Sequence, residues 1–119
     1  MELLDIKKYF PDFDYPKQLK KIAELDLADF DFWFLMDVEL AKSYTEGMAK
    51  RFPARHLAPF AKRGDCDDVA CFEIEKPGKV VIVHDFCDPG YEKRQEYDTF
   101  WDWFRAAMEE MITETEAED

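Results

Sequence analysis

Apolar and polar positions recur along this chain with two periods, and the switches between them divide it into elements. Leu19, Ile22 and Ala23 share one side of a helical wheel while Lys17, Lys20, Lys21 and Glu24 share the other. This predicts a helix over about 16–25 with Pro16 at its first position. From Asp29 to Met36 the period drops to two. Phe30, Phe32, Phe34 and Met36 fall on one side and Asp31, Trp33 and Leu35 on the other, as in a strand. Asp37 then caps a helix predicted over 38–51, with Ala41, Tyr44 and Met48 at helical spacing and Pro53 just past its end. Gly47 inside it costs about 1 kcal/mol against Ala, so packing has to hold this helix. Arg51 and Arg55 flank the break and read as surface ion-pairing residues.

The middle of the chain reads as a short strand over 57–61, an acidic turn Gly64-Asp65-Cys66-Asp67-Asp68, and a longer strand over 69–75. Pro59 lacks a ladder donor, which places its strand at an edge or a bulge. Lys76-Pro77-Gly78 reverses the chain again, so 69–75 pairs with 79–85 as a hairpin. Val80-Val81-Ile82-Val83, four consecutive β-branched residues, predict a strand covered on both faces and central in its sheet. Residues 86–96 contain Pro89-Gly90 and read as a loop. Asp98 or Thr99 caps a last helix over about 99–113, with a capping-box spacing from Thr99 to Asp102. Its apolar face, Phe100, Trp101, Phe104, Met108 and Met111, packs on the sheet. Residues 1–15 form an arm docked through Phe10, Phe13 and Tyr15, with an amphipathic turn over 3–9. The acids of 114–119 oppose the helix dipole and predict a frayed tail. The sum is one α+β domain over 1–119, a mostly antiparallel sheet with flanking helices.

Composition narrows the classes. With 47% hydrophobic residues, including 11 Phe, 5 Tyr and 3 Trp, the chain is too apolar for disorder, and 119 residues suffice for a core without disulfides or a structural metal. A formal charge of −12 repels phosphate backbones and favours encounter with a basic protein. Cys66, Cys71 and Cys87 lack zinc or redox spacing and read as reduced thiols of a cytoplasmic protein. Acids interrupt the N-terminus before any apolar run forms, so no export signal is expected, and no apolar run is long enough for a membrane span.

Candidate chemistry is sparse. His84 and Cys87 lie close in sequence but lack an evident third group to orient them, so no catalytic residue is expected. Asp65, Asp67 and Asp68 offer hard oxygen ligands, yet the loop has no Gly at its sixth position and Lys76 at its twelfth, so it fails the calcium-loop pattern and no metal is expected. The four glycines are scattered and build no phosphate loop, so no cofactor is expected either. What remains is surface display: Trp33, Tyr91 and the turn acids as a contact patch.

The aromatic strand with Trp33, the Leu57-Ala58-Pro59-Phe60-Ala61 segment, the turn from Gly64-Asp65 to Asp68 leading into Ala70-Cys71-Phe72, and the last helix with Phe100 and Trp103 together resemble the SUKH superfamily. That group includes many bacterial immunity proteins and a fungal cell-wall regulator. His84-Asp85-Phe86 with Pro89-Gly90-Tyr91-Glu92 resembles one branch of it. Cys66 stands where relatives often carry Gly or Asn. The resemblance implies a curved sheet, no enzymatic activity, and a protein partner, in the immunity role a toxin domain that is often a nuclease with a basic cleft. The expected partner-facing residues are Asp65, Asp67 and Asp68, with Trp33, Asp85 and Tyr91. Two other readings stay open: a regulatory or scaffolding module without a toxin partner, and a metal- or small-molecule-responsive domain using the turn acids.

Overall fold

Five strands pair in sequence order, every neighbour antiparallel, in the computed structural model, which describes residues 1–118. They are β1 (Trp33–Leu35), β2 (Leu57–Arg63), β3 (Asp68–Glu73), β4 (Val80–His84) and β5 (Lys93–Tyr97). Three α-helices accompany them, α1 (Lys17–Glu24), α2 (Val38–Arg51) and α3 (Phe100–Ala117), after a 3-10 turn at Ile6–Lys8. The α+β sheet expected from the sequence is therefore present. Bulges at Phe60 in β2 and at Arg94 in β5, opposite Ile82 and Val83, curve it.

Packing follows the aromatic pattern. Helix α3 lies across the face that carries Trp33, Phe60 and Phe72. Trp103 sits 4.9 Å from the Phe60 ring and 5.6 Å from Trp33, and Phe100 sits 5.6 Å from Phe60. Each such buried ring contributes roughly 1.5–3 kcal/mol. Together they outweigh the roughly 1–3 kcal/mol lost because Trp103 Nε1 finds no acceptor among the described residues. Helix α2 packs against β2, held at its start by Asp37, whose carboxylate accepts the Leu40 N–H at 2.8 Å. Thr99 caps α3 the same way, accepting Asp102 N–H at 3.1 Å. The arm docks through buried Leu4, Ile6 and Tyr15, whose hydroxyl donates to the Pro59 carbonyl at 2.6 Å. No helix among the described residues is long and apolar enough to cross a membrane.

Several elements depart from the expected bounds. The strand predicted over 29–36 shrinks to three residues because Asp31 takes φ 77° and Phe30 N–H bonds back to the Trp33 carbonyl at 2.7 Å, closing a turn. Strand β2 runs on to Arg63, and Pro59 is tolerated there through the bulge and not at an edge. Strand β4 is buried on both faces, but β3 is the middle strand of the order. Lys93–Tyr97, expected to be loop, is an edge strand whose charges guard it from further pairing. Helix α3 continues through Ala117, so the tail expected to fray over 114–119 is helical there, since Glu, Thr and Ala propagate an exposed turn at little cost. Asp119 lies outside the described residues.

Candidate interaction surface

A meander brings alternate connections to one end of its sheet, so the β2–β3 turn and the β4–β5 loop are neighbours here. Asp68 pairs with His84 in the ladder, and the Asp85 N–H donates to the Asp67 carbonyl at 3.0 Å. Two aromatics on the β4–β5 loop point into solvent: Phe86, 62% exposed, and Tyr91, 81% exposed. Phe86 takes φ 59°, a conformation a bulky residue adopts only when its surroundings compel it.

The compulsion lies underneath. Asp85 is completely buried, and Arg51, at the end of α2, grips it with two parallel bonds of 2.7 Å from Nε and Nη2. The same carboxylate accepts the Phe86 N–H at 2.8 Å, which fixes the backbone that projects the ring. The Arg51 guanidinium then lies 4.2 Å from the Phe86 ring centroid. Gly47 makes room for this arrangement, because a Cβ there would stand 2.7 Å from Arg51 Nη1. The residue that weakens the helix is the one that admits the arginine.

A second arginine holds the other side of the loop. Arg55 binds Glu73 at 2.9 and 2.8 Å and lies 3.6 Å from Glu92, whose other oxygen accepts the Gly90 N–H at 2.8 Å. The Arg55 hydrogen bonds hold the Glu73 carboxyl below its ordinary range and raise Arg55 in turn. Arg51 and Arg55, expected to pair at the surface, thus pair with buried carboxylates. Burial, with Asp85 and Asp67 nearby, also raises the Tyr44 hydroxyl on α2.

The six residues expected to face a partner divide sharply. Tyr91 and Asp67 are exposed and stand at this end together. Asp65 is exposed but held by Arg63 at 2.8 Å, and that hydrogen bond lowers its carboxyl. Asp68 is half-buried, 3.1 Å from His84 and 3.4 Å from Arg94. Trp33 and Asp85 correct the expectation. Trp33 is 5% exposed, its ring packed on Trp103, and Asp85 has no exposed surface, so neither offers contact area. Trp33 was misplaced because both faces of its segment are apolar and parity alone does not say which is inside. Asp85 was misplaced because its partner lies 34 positions away. Phe86 and Asp88 were missed. The available signal for Phe86 was an aromatic three positions after the apolar run Val80–Val83, past His84 and Asp85, where periodicity has already ended.

The surface has a defined charge state. Asp67 and Asp88, among the described residues, have no ion-pair partner, whereas the other acids at this end are engaged by arginines or His84. Cys87 donates to the main-chain carbonyl of His84 at 3.1 Å and not to the imidazole, and burial raises its thiol, so it is held protonated. Burial raises the Cys71 thiol much further. Of the turn acids, Asp65 and Asp68 go to separate ion pairs and Asp67 to neither, and among the described residues no three His, Cys, Asp or Glu side chains cluster as metal ligands would. Comparison with protein-family models, with curated proteins and with solved structures returns no match for this chain.

Proposed function

We propose that this chain is a protein-binding domain of the SUKH type, an immunity protein that captures a basic, nuclease-type toxin domain through the end of the sheet carrying Phe86 and Tyr91. One observation carries the reading: two large aromatics stand out in water on one braced loop, Phe86 held by the buried Arg51–Asp85 pair at the cost of an unfavourable φ, and Tyr91 beside the Gly90 amide that Glu92 fixes. Beyond the contact of Arg51 with the Phe86 face, folding gains little from such a display. An interface does, because rigid aromatics supply contact area with little ordering entropy and dominate binding energy. Asp67 and Asp88 flank the pair as uncompensated charges, and a net charge of −12 adds a long-range field that draws in a basic partner. Asp65 and Asp68, already neutralised by their own partners, add little to that attraction.

The test is affinity capture from the cells that express the chain, eluted across a salt gradient. A stoichiometric basic protein, released by salt, harmful when expressed alone and harmless when co-expressed with this chain, is the expected result. A harmless host protein in its place would support a regulatory module and overturn the immunity role. Retention of nothing would overturn protein binding altogether.

A further inference from the structure

At the opposite end of the sheet, away from the aromatic loop, the docked arm, the β3–β4 turn and the start of α3 enclose a cleft of about 510 Å³. This lies within the roughly 300–1,000 Å³ typical of small-molecule sites. Three rings line it: Phe13, half-buried, lies 5.9 Å from Phe72, and Phe72 lies 6.2 Å from Phe100, the last two only 3% exposed at its base. Pro77 adds an apolar wall. The carboxylates on its margin differ in how far they are already engaged. Glu73 is bound by Arg55 and Asp14 by Lys20 at 2.6 Å, while the ammonium of Lys76 is drawn off to Glu96 at 2.8 Å. Asp12 has no ion-pair partner among the described residues, and Asp98, largely exposed, has only Lys79 at 3.5 Å.

We infer that this cleft is a binding site for a small organic cation with a flat apolar body, of the arylalkylammonium class, its ring laid against Phe13 and Pro77 over the base formed by Phe72 and Phe100 and its charge at the rim with Asp12 and Asp98. Ring floors prefer flat apolar groups and also attract cations through their faces. Two carboxylates that are weakly engaged or not at all select positive charge at the mouth, and the net −12 field acts in the same sense. One feature of the wall works the other way. Helix α1 starts at Pro16 without a side-chain cap, so its first amides favour an anion. An anionic analogue of the ligand therefore decides between the two.

Phenethylammonium, 2-phenylethanol and 3-phenylpropionate are titrated separately into the full chain, and backbone amide shifts are followed by two-dimensional NMR. The expected result is saturable movement of the Ile74, Gly78 and Thr99 amides with the ammonium compound, weaker movement with the alcohol, and none at Gly64 or Tyr91. Asp12→Asn with Asp98→Asn should lower the ammonium affinity about two- to fivefold per site and leave the alcohol unchanged. Added salt should weaken the ammonium compound alone in the unmodified chain, a readout that does not depend on any variant folding. Equal or tighter binding of the carboxylate, shifts confined to the aromatic loop, or no saturable shift would overturn the assignment. Of these outcomes only shifts confined to the aromatic loop would bear on the protein-binding surface.

Discussion

Arg51 concentrates most of the physical argument in one side chain. It neutralises a carboxylate with no access to water, supports the face of an exposed ring, and requires a glycine one turn earlier in its own helix. Removing it strands Asp85, so Arg51→Ala should cost about 3–5 kcal/mol in chemical denaturation. Asp85→Asn should cost less, about 1–3 kcal/mol, because an amide oxygen still accepts the Phe86 N–H and the half-buried guanidinium can turn to solvent. Gly47→Ala offers a sharper check. In the native background it should destabilise, since the methyl group displaces a guanidinium held by two bonds. In the Arg51→Ala background it should recover the about 1 kcal/mol of helix propensity that glycine forfeits. A gain in both backgrounds would show that the glycine has nothing to do with the arginine. Phe86 separates stability from binding. Both Phe86→Gly and Phe86→Ala delete the ring, but only glycine relaxes the φ of 59°. The glycine variant should therefore be the more stable of the two by about 1 kcal/mol while both lose the partner.

Between elements, the decisive joints are ionic, and they respond to pH. Arg55 joins the segment after α2 to β3 through Glu73, whose carboxyl it holds below the ordinary 4.5. A lowered folded value means that this stabilisation is fully present above the unfolded pKa and is lost as the pH falls through the folded one. Unfolding free energy should therefore decline as acid is added below about pH 4.5, and Glu73→Gln should start from a lower stability and lose less of it over the same range. A variant that declines as steeply as the native chain would remove Glu73 from the account. The elements differ in how far the sequence declared them. Helix α2, with Asp37 before it and Pro53 after it, matched its predicted bounds, and α1 and the hairpin of β3 and β4 fell within two residues of theirs, because local capping and periodicity specify them. Strand β5 was not legible. Lys93-Arg94-Gln95-Glu96-Tyr97 lies at an edge, mostly exposed, so no apolar alternation marks it and only pairing with β4 makes it a strand. The interaction surface was half legible for the same reason. The acidic turn and Tyr91 are local features, whereas the burial of Trp33 and Asp85 and the exposure of Phe86 are consequences of contacts made far along the chain.

For the whole molecule, the two ends of one sheet differ in construction. One end displays aromatics on a braced loop; the other folds an arm over three rings to leave a cleft. The charge of −12 spreads over both, yet most carboxylates near the loop are engaged, so the attraction to a basic partner should depend on few residues. The most direct measurement is the association and dissociation kinetics of the captured partner at several salt concentrations, for the native chain, for Asp67→Lys with Asp88→Lys, and for Tyr91→Ala. The expected native association rate falls steeply with salt. Charge reversal should lower it at low salt and flatten that slope, while Tyr91→Ala should leave association intact and speed dissociation about tenfold or more. Native rates and native salt dependence in all three chains would place the interface elsewhere and contradict the account.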